Sequence, residues 1–257
     1  MMPLAQNIQE LSSTFAREGY IVLPGIVSKP KLADLAHKLR SEFARAKEKG
    51  ELFSGGGTIT GHLNCFPGAE SRFVYEELEQ QGVFDLIRKL SPAAERMPNV
   101  GCNMNLPNSS SQNSHVDGYA AAPFIIVNVA AVDTDISNGA TEIVPGTHTR
   151  DYKYWQYALS GKPAIRLKGN AGDVSIRLSS VWHRGMPNKT DAARPMLAFT
   201  WENGGSELAD PYTAHGGKIT FLTNRYGQNL SSRVRERAFA TMPALGTGYL
   251  FMRSIFQ

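Results

Sequence analysis

The sequence predicts a mainly β fold with flanking helices, an antiparallel barrel or sandwich covered by a helical N-terminal part. Three observations lead there. Up to about residue 97, apolar residues recur at helical spacing. After Pro98, short alternating or β-branched runs replace them. Turn residues then separate these runs at close intervals, which suits antiparallel strands better than parallel strands with helical crossovers.

The elements follow in order. Over residues 6–17, Ile8, Leu11 and Phe15 share one helical face, and Gly19 ends the helix. Ile21-Val22-Leu23 reads as a strand and Pro24-Gly25 as its turn. Ser28 opens a second helix over 29–49, with Leu32, Leu35, Leu39 and Phe43 as its stripe. Residues 53–61, Phe-Ser-Gly-Gly-Gly-Thr-Ile-Thr-Gly, lack the order of a phosphate-binding loop and are expected to form a mobile loop. Helical spacing returns over 72–90, interrupted at Gly82 and closed by Ser91-Pro92. Strands are expected at 100–106, 124–132, 141–144, 164–167, 173–176 and 195–201, with turns at Asn138-Gly139, Pro145-Gly146 and Gly169-Asn170. A short helix is expected at 234–239, and Gly248-Tyr249-Leu250-Phe251 as an apolar end packed on the core. No internal repeat or linker divides the chain, so residues 1–257 are expected to form one domain, with 1–97 as a helical layer.

Composition narrows the function classes. Hydrophobic residues make up 42% and charged residues 19%, as in ordinary globular proteins. The net charge of +4 is spread along the chain and mixed with acidic residues, so no focused nucleic-acid footprint is present. No apolar run approaches the roughly 20 residues that cross a bilayer. The N-terminus has no basic segment leading into an apolar one, so a cytoplasmic location is expected. Cys65 and Cys102 have no metal-site or disulfide-scaffold spacing and read as buried thiols.

The chemistry concentrates in Ser114-His115-Val116-Asp117-Gly118-Tyr119. In an extended segment, side chains at i and i+2 point the same way, so His115 and Asp117 can approach one ion together. Four other histidines, His37, His62, His148 and His215, sit in helix or loop contexts where a structural or solvated role is the default. His183 differs: Val181-Trp182 delivers it and Arg184-Gly185-Met186-Pro187 follows, an arrangement that places a side chain at a barrel mouth. Two histidines and one carboxylate on adjacent positions of a metal leave the opposite positions open, the facial arrangement of non-haem Fe(II) oxygenases. Arg194, eleven residues beyond His183, offers a guanidinium fork suited to the distal carboxylate of a dicarboxylate cosubstrate whose other end is on the metal. The bland alternative for Arg194 is a surface ion pair with Asp191 or Glu202.

Four blocks in the same order give a specific resemblance. They are Glu18-Gly-Tyr-Ile-Val-Leu-Pro-Gly25, His115-Val-Asp117-Gly-Tyr119, Asn138-Gly-Ala-Thr-Glu-Ile-Val-Pro-Gly-Thr-His148, and His183-Arg-Gly-Met-Pro-Asn-Lys-Thr190 ending in Arg194-Pro195. The chain resembles the phytanoyl-CoA dioxygenase family of Fe(II)/2-oxoglutarate oxygenases. That resemblance implies a double-stranded β-helix (jelly-roll, cupin-like) core, and iron on His115, Asp117 and His183. It implies 2-oxoglutarate on Arg194 with Thr141 as helper; Tyr119 and Asn103 complete the cofactor-binding set. It also implies dioxygen as co-reactant and a small-molecule metabolite as substrate, oxidised with release of succinate and CO2. Some relatives carry serine where Gly185 stands, and tryptophan and glutamine where Ser114 and Val116 stand. Related halogenases have a small residue at the carboxylate position; Asp117 therefore points to oxygenation. Polar residues such as His62, Asn64, Asn103, Asn105 and Arg184, with Met252-Arg253 near the end, are substrate-pocket candidates. A cupin-like metal isomerase or hydrolase and a non-catalytic barrel protein are the alternatives. Neither nucleic acid nor membrane is an expected partner, and the oligomeric state is not written in these residues.

Overall fold

The computed structural model describes residues 8–52, 56–91, 96–202, 210–221 and 229–256. Helix α1 (Ile8–Glu18) leads into β1 (Tyr20–Leu23), and α2 (Lys29–Glu48) follows. A short helix α3 (Gly56–Thr60), strand β2 (His62–Phe66) and helices α4 (Arg72–Gln80) and α5 (Val83–Leu90) complete the N-terminal part. The strand-rich part holds β3 (Asn99–Asn105), β4 (Ile125–Ala130), β5 (Glu142–Ile143), helix α6 (Tyr154–Ala158), β6 (Ile165–Arg166), β7 (Val174–Leu178), β8 (His183–Arg184) and β9 (Arg194–Thr200). A 3-10 segment (Pro211–Gly217), β10 (Thr220–Phe221) and helices α7 (Leu230–Thr241) and α8 (Pro243–Ile255) follow.

Seven strands form a major sheet in the order β1-β7-β4-β9-β3-β2-β10, and three form a minor sheet in the order β6-β5-β8. Every pairing in both is antiparallel. This is the mainly β, jelly-roll architecture with flanking helices, and the sheets do not close into a barrel.

The period-2 alternation of the strands decides which chemistry faces which way. Leu63, Cys65, Cys102, Met104, Val127, Val129, Val174, Ile176, Leu197 and Phe199 join one buried cluster with Phe15 of α1, Leu32, Leu35 and Leu39 of α2, Leu78 of α4 and Phe84 and Ile87 of α5. Each buried aliphatic or aromatic side chain there contributes about 1.5–3 kcal/mol relative to exposure. The opposite face of the same strands is polar. Cross-strand rows on it run His62–Asn105–Arg194 and Asn64–Asn103–Met196–Ala130. One face of the sheet thus holds the molecule together, and the other faces the minor sheet and the site. The two free cysteines, Cys65 and Cys102, stand opposite each other on the core side and are buried.

Four expectations need correction. Residues 56–60 of the glycine-rich stretch form helix α3, which packs on α7; residues 53–55 lie outside the described residues. His62 belongs to β2, and the strand pairing that buries its imidazole to 4% exposure is with residues some 40 positions away, which no local pattern announces. Residues 248–251 belong to α8, which packs on α6 and α7 and leaves Tyr249 and Met252 about half exposed. Ser28 does cap α2 in position, but its side chain makes no capping bond; its backbone N–H donates to Glu77 Oε2 at 2.7 Å.

Candidate metal centre

The extended segment that carries His115 and Asp117 is fastened to β8 by a reciprocal backbone pair. His115 N–H donates to His183 O at 2.9 Å and His183 N–H to His115 O at 3.0 Å. Asp117 N–H then donates to Ser179 O at 2.8 Å. This pairing sets two imidazoles side by side, 4.4 Å between ring centroids, with the aspartate next to them. A side chain at position 118 would put its Cβ 2.6 Å from Ser179 Oγ and 2.9 Å from the Phe124 ring, so Gly118 lets the segment lie this close.

One ligand atom from each of His115, Asp117 and His183 lies within 4.8 Å of the others. Both imidazoles are oriented by their Nδ1: His115 Nδ1 donates to Asn113 O at 2.8 Å and His183 Nδ1 to Val181 O at 3.0 Å. A carbonyl can only accept, so the proton sits on Nδ1 and the Nε2 lone pair faces the cluster, the form in which histidine binds metal. Burial, helped by the Arg177 guanidinium and by His115, holds His183 well below the ordinary imidazole range, and thus neutral. Burial alone would raise the Asp117 carboxyl; Arg177 and the two histidines outweigh it and hold the group well below the usual carboxylate range. Arg177 Nη2 donates to Asp117 Oδ2 at 2.6 Å. That leaves Oδ1, 3.8 Å from His115 Nε2, as the free carboxylate oxygen. Two imidazole nitrogens and one carboxylate oxygen fit a divalent iron with open positions.

Further contacts hold the residues around the cluster in place. Trp182 stacks on Tyr157 of α6 at 3.9 Å and 5°. The Trp182 N–H donates to Thr147 Oγ1 at 3.0 Å, and Tyr157 Oη donates to Ser114 Oγ at 3.2 Å. Beyond His183, the loop toward Arg194 is pinned by Asn188, fully buried, whose Nδ2 donates to Asn105 O and Ala192 O and whose Oδ1 accepts from Thr190.

Arg194 is not a surface residue: it is 2% exposed and pairs with neither Asp191 nor Glu202. Its Nε donates to Asn138 O at 3.1 Å, so two of the sequence blocks meet here, and its Nη1 contacts Met196 Sδ at 3.6 Å. Burial pushes it down to about 10, which leaves it charged at neutral pH. Thr141 and Met196 line a small recess between the two sheets, together with Asn128, Ser175 and Arg177.

A larger cavity of about 640 Å³ opens beside His115 and Asp117. Asn64 and Asn103 line it, joined by an Asn103 Nδ2 to Asn64 Oδ1 bond of 3.1 Å, as do His62, Gln112 and Asn113. Glu236 and Phe239 of α7 and Leu250 of α8 line it from the other side. Tyr119 stands apart, 74% exposed, on a separate recess beyond Asp117. Arg184 is taken up by an ion pair to Glu142 at 2.7 Å. Met252 is half exposed and lines none of these cavities.

The glycine at position 185 now has a physical reason. A Cβ there would lie 2.6 Å from the His62 ring and 2.7 Å from Gln112 Oε1, so the buried imidazole fills the place a larger residue would take. His62 Nε2 is held on Ser110 O at 2.8 Å, and burial pushes its pKa down to about 4. Gly185→Ser is therefore expected to destabilise the protein by about 1–3 kcal/mol, the usual penalty for overpacking. Gly185→Ser combined with His62→Ala should recover most of that loss in a denaturant midpoint measurement. Equal losses in the single and double variants would show that the two residues do not compete for space.

Sequence reasoning passed over three residues. Arg177 carried a visible signal, a charged residue inside the strand-like run Val174-Ser175-Ile176-Arg177, but its partner Asp117 is 60 positions away. Glu236 and Asn188 gave no local signal.

A jelly-roll whose inner side gathers two histidines and a carboxylate defines the class of non-haem iron oxygenases. The chain matches the phytanoyl-CoA dioxygenase family over residues 15–196. It belongs to that family, whose enzymes use non-haem Fe(II) and 2-oxoglutarate. Dioxygenase lolE1 of Epichloe uncinata is 31% identical over 122 residues, 43% of this chain and 48% of the relative. Dioxygenase af480 of Aspergillus fumigatus is 21% identical over 212 residues, 76% and 66% respectively. The chain thus spans less than two thirds of the length of either relative. Among solved structures it is similar to SnoN, a non-haem alpha-ketoglutarate-dependent epimerase from nogalamycin biosynthesis. The TM-score is 0.59 at 18% identity, covering 76% of this chain and 83% of that one. EctD from S. alaskensis, with bound Fe, gives 0.57 at 17%, covering 74% and 75%. No helix among the described residues is long and apolar enough to cross a membrane.

Proposed function

We propose that the protein is an Fe(II)- and 2-oxoglutarate-dependent oxygenase that hydroxylates a polar small-molecule metabolite, with release of succinate and CO2. The observation that carries this is the convergence of two Nε2 atoms and one carboxylate, both rings locked through Nδ1. His115, Asp117 and His183 hold the metal on one face. When bound, iron with 2-oxoglutarate and dioxygen supplies oxidative decarboxylation and the abstraction of a hydrogen atom from substrate. The chain contributes geometry and a shielded pocket. Arg194, buried and charged, takes the distal carboxylate of the cosubstrate; its Nη1 contacts Met196, which shares a recess with Thr141.

The lining of the 640 Å³ cavity supports the substrate class. Its polar groups are amides, hydroxyls and the imidazoles of His62 and His115, with Glu236 and Asp117 as carboxylates, and no lysine or arginine lines it among the described residues. Burial raises the Glu236 carboxyl. A thioester carrying several phosphates would find no counter-charge there, whereas a neutral polyol or an amine-bearing metabolite finds hydrogen-bonding partners. SnoN acts in nogalamycin biosynthesis, and a comparable small-molecule role for this chain is part of the proposal. The test is succinate formation over a panel of neutral polyols, amines and acyl-CoA esters, with dioxygen or 2-oxoglutarate omitted in parallel. The expected result is substrate-stimulated succinate release with a polyol or amine only when both are present. Turnover of any panel member without them overturns the oxygenase reading, and stimulation by acyl-CoA alone overturns the substrate class.

A further inference from the structure

Arg177 is the residue whose surroundings the metal-ligand reading does not exhaust. It lies on β7 at 7% exposure, on the polar face of the major sheet. Its Nη2 donates to Asp117 Oδ2 at 2.6 Å and lies 3.3 Å from His183 Nε2. Its Nη1 is buried and has no hydrogen-bond partner. A buried guanidinium donor without an acceptor is strongly unfavourable, and native folds keep such a group where something else satisfies it.

The large cavity is lined by Asp117 and His115 but not by Arg177; the small recess between the sheets is lined by Arg177 but by none of the three ligands. Arg177 thus has one amino group on the metal-binding carboxylate while the residue also borders the recess that Thr141 and Met196 share. Asp117 is its one carboxylate partner among the described residues, so the guanidinium has capacity for a second anion.

We propose that Arg177 is a positioning residue with two tasks. Through Nη2 it fixes Asp117 so that only Oδ1 faces the metal, which keeps the remaining positions open. Through Nη1 it donates to the carboxylate of 2-oxoglutarate that lies nearest the metal, while Arg194 takes the distal one. This rests on the iron and 2-oxoglutarate reading given above. A planar fork serves both acceptors at once; an ammonium offers one point charge and cannot hold both in the same geometry.

The test uses the full chain without dioxygen, titrated with Fe(II) alone and then with 2-oxoglutarate, following the visible charge-transfer band of the chelate. Arg177→Gln is expected to weaken Fe(II) binding at least about tenfold, as for loss of a ligand's supporting partner. It should also displace the band and raise the 2-oxoglutarate concentration needed to reach it by a similar factor. Arg177→Lys is expected to retain most of the Fe(II) affinity through its charge on Asp117, but not the wild-type band position or 2-oxoglutarate affinity. It also serves as the folded reference should Arg177→Gln prove unstable. Arg177→Lys with wild-type values of all three overturns the proposal, as does a folded Arg177→Gln that behaves as wild type. Absence of the band in the wild-type protein refutes the iron and cosubstrate reading instead, so the two failures are distinguishable.

Discussion

His183→Ala is expected to abolish turnover that depends on 2-oxoglutarate and to weaken Fe(II) binding by more than the roughly 10–100-fold that follows loss of a ligand's supporting partner. His183 is 8% exposed, and its Nε2 is 3.4 Å from Asp117 Oδ2. With it removed, His115 and Asp117 would remain as two ligands from one extended segment, too few to hold the metal on one face. The fold should survive, because the backbone bonds that join His183 to His115 do not involve the side chain. A melting temperature close to wild type, together with lost Fe(II) binding, is the expected pair of results. Retained wild-type affinity would move the metal elsewhere and undo the assignment.

Arg194→Ala is expected to have the next largest effect, and of a different kind. The guanidinium is buried, charged, and bonded through Nε to a backbone carbonyl rather than to a carboxylate. Losing one partner of a buried charge-assisted pair costs about 2–5 kcal/mol, or roughly 30- to several thousand-fold in affinity. The 2-oxoglutarate KM should rise by a factor in that range, with Fe(II) binding to the free enzyme unchanged. Arg194→Lys should fall between, since it keeps the charge and loses the fork. A variant that lost Fe(II) binding and 2-oxoglutarate affinity together would instead mark Arg194 as a structural support of the metal centre.

The parts of this site that were legible in the sequence share a physical trait. His115 and Asp117 are two positions apart, so the period of an extended chain alone aligns them. His183 was distinguished by its local setting, an apolar pair before it and a glycine-containing loop after it. Arg194 was legible as a basic residue at the entry of a strand; its burial excludes the surface ion pair, and its role toward a cosubstrate belongs to the proposal. The helices α1, α2, α4 and α5 and the strands β3, β4, β7 and β9 were legible because each carries its own period. What failed depends on contacts between distant segments. β2 follows a glycine-rich stretch and has an asparagine at its centre, so only its pairing with β3 makes it a strand. His62 and Gly185 are complementary in space, one large and one absent side chain, and neither announces the other. Arg177 gains its meaning from Asp117 across the sheet, and Glu236 from a cavity closed by helices at the far end of the chain.

The most direct test of the central claim is an anaerobic titration of the wild-type protein with Fe(II) and then 2-oxoglutarate, read as visible absorption. The expected result is a weak metal-to-ligand charge-transfer band that appears only with both components, saturates at one iron per chain, and is missing in His183→Ala. A flat spectrum at saturating concentrations, or a band of equal strength in His183→Ala, would contradict an iron centre built from His115, Asp117 and His183.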